Sequence, residues 1–148
     1  MFDPHKHHRK SVRLQGWDYS GEGYYFVTIC SHQRENIFGE VMDGEMEFSA
    51  LGEIVHEEWL KTAVLREYVT IDTFIIMPNH LHGILVFHNP TEFPAVGATR
   101  RVAQEQDTRE GTLQKGSLGS VLGQFKSAVT KKHNKMNKTS DIKIWQRG

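Results

Sequence analysis

Cysteine is almost missing from this chain. Cys30 is the only one in 148 residues, so no internal disulfide can form, and the usage fits a reducing compartment. Within an apolar strand pattern, Cys30 itself reads as a small core residue. Long apolar runs are missing too. None approaches the roughly 20 residues that span a bilayer, and residues Met1 to Lys10 (MFDPHKHHRK) lack the apolar centre of a secretory signal. The expectation is a cytoplasmic protein with no membrane partner. There is no internal repeat, and 148 residues suffice for one domain, 1–148, with a core of its own.

Net charge is missing as well, with 18 basic residues against 18 acidic. The balance hides an asymmetry. From Lys115 to Gly148, Lys115, Lys126, Lys131, Lys132, Lys135, Lys138, Lys143 and Arg147 stand against Asp141 alone. Eight against one is a net +7 and leaves −7 for the remainder. A basic block at one end is the electrostatic footprint of a phosphate-binding element; a solvated lysine-rich helix has the same composition.

Tyr24 to Ser31 (YYFVTICS) is aromatic and β-branched and predicts a strand after the turn Ser20-Gly21-Glu22-Gly23. Ile37 to Val41 and Glu45 to Phe48, separated by Asp43-Gly44, predict a hairpin. Ser49 caps a helix whose stripe is Leu51, Ile54, Val55, Trp59 and Thr62, extended by Leu65. His56 falls among the polar, solvent-facing positions. Val69 to Met77 and His80 to Phe87 predict two antiparallel strands around Pro78-Asn79. From about 89 to 116 the pattern dissolves into a flexible linker, long enough to suggest function or disorder. Ser117 then caps a last helix with Leu118, Val121, Leu122, Phe125, Ala128 and Val129 on one face. The fold class is therefore α+β: an antiparallel sheet with helices packed on one face, leaving the other face for ligands.

The densest chemistry lies in Met77 to Phe87 (MPNHLHGILVF). Strand side chains alternate, so His80 and His82 share a face while Leu81 anchors the core. Two imidazoles on one rigid face can ligate a divalent ion, which can polarise a phosphodiester. Two edge-strand histidines facing solvent are the ordinary alternative. Asp72, a lone carboxylate one strand away, could orient a histidine or sit on the open face. Asn79 reads as a turn-shaping residue and Trp145 as an anchor for the tail. Tyr24 or Tyr25 could face the ligand side and stack on unpaired bases; Tyr68 reads as packing. His5, His7 and His8 with Arg9, Lys10 and Arg13 form a basic arm that could contact nucleic acid or be a disordered terminus, and Arg100 and Arg101 could make the same contacts from the linker.

With these residues in view, the chain resembles the REP-associated tyrosine transposases and their relatives, the single-tyrosine transposases of the smallest bacterial insertion sequences. The matching segments are Arg9 to Leu14, Trp17 to Tyr19, Tyr25 to Cys30, Leu51 to Val55 with Glu58-Trp59, Phe74 to Gly83 (FIIMPNHLHG), Val96 to Arg101, Leu118 to Ser127 and Ile144 to Arg147. The segment Met77-Pro78-Asn79-His80-Leu81-His82-Gly83 is the most specific of them. The resemblance implies an RNA-recognition-module-like sheet of the HUH endonuclease type. It implies that His80 and His82 hold magnesium or manganese, with a third ligand not identified. It further implies a bacterial homodimer, nucleoid-associated when bound to DNA, that cleaves and rejoins single-stranded or hairpin DNA through a phosphotyrosine intermediate. The basic block and the N-terminal arm offer Lys126, Lys131, Lys132, Arg9 and Arg13 as its DNA contacts. One departure stands out: Tyr19, Tyr24, Tyr25 and Tyr68 all precede His80, and the family's nucleophilic tyrosine lies on a C-terminal helix. The catalytic residue is therefore unassigned and the C-terminal part is expected to be truncated. Two readings follow from the resemblance: a transposase-type endonuclease, or a non-cleaving hairpin-binding protein derived from one. A third, outside it, is a structural or RNA-binding module with incidental histidines.

Overall fold

The computed structural model describes residues 14–89, 116–140 and 142–147. Arg9 and Arg13, the rest of the N-terminal arm, Arg100 and Arg101 lie outside the described residues, as does the linker apart from its ends. In chain order the elements are β1 (Gly23–Cys30), β2 (Gly39–Met42), β3 (Glu45–Phe48), α1 (Ala50–Val64), β4 (Val69–Met77), β5 (His80–Phe87) and α2 (Leu118–Asn137). The architecture is α+β, with an antiparallel three-stranded sheet in the order β1-β5-β4 and a separate hairpin β2-β3.

Local chemistry explains most of these elements. Asp43 and Gly44 both adopt positive φ, 50° and 84°, the backbone twist that a two-residue hairpin turn requires. Ser49 caps α1 by accepting from the Gly52 N–H at 3.0 Å, and Ser117 caps α2 by accepting from the Ser120 N–H at 3.3 Å, each satisfying a donor the first helical turn leaves open. Strand β2 starts two residues later than the apolar pattern suggested, because Phe38 is used elsewhere. Its N–H donates to the Pro78 carbonyl (2.9 Å) and its carbonyl accepts from the Ser49 N–H (3.0 Å). That residue thereby ties the β4–β5 turn to the start of α1.

β5 lies between β1 and β4, so its alternation organises both faces. Leu81, Leu85 and Phe87 are buried, facing Tyr25, Val27 and Ile29 of β1 and Val69 and Ile76 of β4 on the same side. The two helices cover that side. Their central contact is an edge-to-face pair, Trp59 on Phe125, with centroids 5.2 Å apart. The whole expected stripe of α1 from Leu51 to Thr62 is buried. Leu65 is not: it is the C-cap, 72% exposed, because the helix ends one residue earlier and the chain turns away. His56 also departs from expectation. It lies half-buried between Phe48 and Phe74, 5.6 Å from each ring.

After α2, the short segment 142–147 returns to the sheet. Ile144 is buried, and the Trp145 indole N–H donates to the Lys126 carbonyl (3.1 Å) and to Thr130 Oγ1 (3.2 Å), so Trp145 is the expected anchor. The segment also pairs with the end of β1. The Ile144 carbonyl accepts from the His32 N–H (2.8 Å), and the Gln146 N–H donates to the Cys30 carbonyl (3.0 Å).

Candidate functional site

The sheet face opposite the helices is uncovered, and its residues follow from register. Four rows cross β1, β5 and β4: Tyr24, Val86, Thr70; Phe26, Ile84, Thr73; Thr28, His82, Ile75; and Cys30, His80, Met77. The His-x-His alternation therefore places both imidazoles on the open face while Leu81 is sealed in the core. Tyr24 is 75% exposed and Phe26 is 67% exposed. Large rings left in water on a sheet face are costly to keep, and here they form a track that leads to the histidines. Phe26 stacks on His82, with centroids 5.4 Å apart and planes 20° from parallel.

The histidines stand edge to face, 4.6 Å between centroids. Each has its Nδ1 engaged by a neighbour. The Asn79 side chain bridges two groups: its Nδ2 donates to the Arg34 carbonyl (3.2 Å), and its Oδ1 lies 2.7 Å from His80 Nδ1. Because Oδ1 can only accept, His80 Nδ1 carries the proton, which in the neutral ring leaves the Nε2 lone pair facing away from Asn79. Thr28 Oγ1 lies 2.9 Å from His82 Nδ1. Fixing Nδ1 in this way orients the ring and is how ligating histidines are commonly held. Burial, followed by the neighbouring His82 and the charge of Arg34, holds His80 below the ordinary imidazole value. A depressed value favours the neutral ring that a metal requires.

A cavity of about 340 Å³ is lined by Thr28, Cys30, Arg34, Asn79, His80 and His82. Among the described residues no third histidine, cysteine or carboxylate completes a ligand set with the pair. Two imidazoles alone could hold only a partly hydrated ion, whose remaining positions water or substrate oxygens would fill. Cys30, expected in the core, is half-buried on the open face opposite His80. The aromatic and apolar run that opens β1, Tyr24 to Val27, concealed its orientation.

The other expected residues are dispersed. Asp72 is exposed at a register shift between Ile71 and Thr73, beyond the row adjacent to His82, and the Nδ1 atoms of the two rings are held by Asn79 and Thr28 instead. Tyr25 is in the core against Phe87 (5.1 Å), and Tyr68 packs on the same ring (6.0 Å). Tyr24 alone of this pair faces outward, four residues along β1 from the His82 row, about 13 Å at the rise of a strand. Lys131 is exposed on α2 and Lys126 is half-buried. Lys132 is engaged in an ion pair with Glu57 of α1 and lies 3.7 Å from Glu58. Sequence reasoning missed Phe26, Arg34 and the bridging role of Asn79. Phe26 stands in an unbroken aromatic and apolar run, Tyr24 to Val27, and Arg34 carried no local signal.

No family model matches the chain. An uncharacterized protein of Haemophilus influenzae is 36% identical over 141 residues, spanning 95% of this chain and 76% of that protein. A solved REP-associated tyrosine transposase bound to a REP hairpin is similar in structure, with a TM-score of 0.51 at 14% identity. The likeness covers 92% of this chain, which spans 58% of that transposase's length. It shows a shared α+β fold with an antiparallel sheet and helices.

Proposed function

We propose that this chain, which belongs to the same family as the uncharacterized Haemophilus influenzae protein, is a transposase-type protein that binds single-stranded or hairpin DNA on its open sheet face and presents a phosphodiester to His80 and His82. One observation carries the reading. The histidine pair and two exposed rings, Tyr24 and Phe26, lie on a single uncovered face of a fold shared with a hairpin-bound transposase. Unpaired bases stack on such rings whatever their identity. His80 and His82 would hold a divalent ion, magnesium or manganese, which would stabilise charge developing on the phosphate. Asn79 and Thr28 keep the two rings aimed. Lys131 and Lys126 lie on α2, which covers the opposite side of the sheet, and would meet phosphates only of DNA that extends past the open face.

In the first reading the protein cleaves and rejoins DNA through a phosphotyrosine link, as a homodimer. A specific observation favours the second reading, a non-cleaving hairpin-binding protein: Tyr19, Tyr25 and Tyr68 are packed against rings or the core, and Tyr24 lies about 13 Å along the strand from the histidine row.

The test pairs hairpin DNAs carrying single-stranded flanks with manganese, reading affinity by anisotropy and covalent adducts on a denaturing gel. Tyr24→Ala and Phe26→Ala should each weaken binding roughly 5- to 150-fold, the worth of one base stacked on a ring. His80→Ala with His82→Ala should abolish manganese binding while sparing most DNA affinity. An adduct would support the cleaving reading, and binding without one the second. Wild-type protein that binds no such DNA, or ring variants that bind equally well, would refute both.

A further inference from the structure

The turn beside the histidines contains two consecutive non-glycine residues in the left-handed region, Gln33 (φ 52°, ψ 17°) and Arg34 (φ 56°). Neither is of the glycine or asparagine type that suits such backbone. Strain of this kind persists only where surrounding contacts over-determine it, and here they do. The Arg34 N–H donates to the Ser31 carbonyl (3.1 Å). Ser31 is fully buried, with its Oγ between the carbonyls of Glu35 (2.7 Å) and Asn79 (3.0 Å). The Gln33 N–H donates to Gln146 Oε1 (3.0 Å). The Arg34 carbonyl accepts from Asn79 Nδ2, the same amide whose Oδ1 holds His80. Turn and imidazole thus form one connected unit.

The side chain this turn presents is a guanidinium. It lines the histidine cavity, whose other lining residues include no carboxylate, and among the described residues Arg34 forms no ion pair. A cavity lined by one uncompensated planar cation and no carboxylate suits an anion, and the guanidinium fork matches two oxygens of a phosphate.

We propose that Arg34 is the phosphate-holding arm of this site, gripping a non-bridging oxygen of the DNA backbone, and that the left-handed turn pinned through Asn79 is what aims it. The inference rests on the reading that a phosphodiester lies at His80 and His82, and the test separates the two.

Full-length protein is titrated with a labelled single-stranded oligonucleotide in manganese over a range of salt. Arg34→Gln should weaken binding roughly ten- to a hundredfold, as expected for a charge-assisted contact. The slope of log affinity against log salt should fall by about 0.7, the counterion release of one single-strand phosphate. Wild type should lose affinity when one particular phosphate is replaced by a neutral methylphosphonate, and Arg34→Gln should be indifferent to that replacement. Manganese affinity, read by electron paramagnetic resonance, should not move. Arg34→Gly, which the backbone welcomes, should show the same loss at an unchanged or raised melting temperature, so that unfolding does not explain it. Wild-type affinity and salt slope in Arg34→Gln would overturn this inference while leaving the DNA-binding reading intact. So would a parallel loss of manganese affinity, which would make Arg34 a support for the histidines. Wild type that binds no single strand would overturn both.

Discussion

Gly83 follows His82 directly, and its lack of a side chain is a packing requirement. A Cβ built there would lie 2.5 Å from Trp59 Cζ2 and 3.3 Å from Cε2, with Phe74 Cβ at 3.4 Å. The indole cannot yield easily. Trp59 is fully buried and boxed between Phe125 at 5.2 Å and Phe74 at 6.3 Å. Against a normal carbon contact of about 3.5 Å, β5 or the indole must move by about 1 Å. Overpacking of this kind costs about 1–3 kcal/mol, offset by roughly 0.5–1 kcal/mol of backbone entropy when alanine replaces glycine. Gly83→Ala should therefore lower stability by about 1–2 kcal/mol and the melting temperature by roughly 2–8 °C. Trp59→Phe removes the clashing ring, so in that background Gly83→Ala should cost less than about 0.5 kcal/mol, a coupling that a double-mutant cycle isolates. Denaturant unfolding of the four proteins gives the free energies. Because His82 is the adjacent residue, manganese affinity should fall in Gly83→Ala and recover in the double variant. An unperturbed Gly83→Ala, or an equal penalty with and without Trp59, would refute the argument.

Two further outcomes are expected. Asn79→Ala removes the acceptor that holds His80 Nδ1 and should weaken manganese binding roughly 10- to 100-fold, the usual cost of losing a ligand's orienting partner; titration calorimetry measures it, and wild-type affinity would show that Asn79 does not orient the ring. Lys132, then Lys61, hold the Glu57 carboxyl down to about 2 from 4.5. A depressed carboxylate stabilises the fold above its unfolded value and loses that contribution as pH falls through the folded one. Thermal scans should therefore show wild type more stable than Glu57→Gln above about pH 5, with the gap closing between pH 4.5 and pH 2 and shrinking in high salt, since Glu57 is half exposed. A gap independent of pH would discount the ion pair.

Local periodicity determined a good deal. Alternation in His80 to Phe87 separated the imidazoles from Leu81 without knowledge of the partner strands, because a strand's two faces are a property of its own backbone. The stripe from Leu51 to Thr62, the two serine caps and the Asp43-Gly44 turn were legible for the same reason: each is a preference that residues a few positions apart express by themselves. In β1, by contrast, Tyr24, Tyr25, Phe26 and Val27 are apolar or aromatic at every position. Only pairing with β5 decides that Tyr25 goes inward while Tyr24, Phe26 and Cys30 go outward. Lys132 read as one of the basic block's phosphate contacts, and the packed helices bring it to Glu57, 75 residues away. Asn79 and Arg34 lie 45 residues apart, and their joint grip on His80 exists only once the β4–β5 turn meets the end of β1. The sequence by itself determined which elements form and which strand carries the histidines. The tertiary structure decided what surrounds them, because hydrogen bonds and charges act through space between segments whose approach no local pattern encodes.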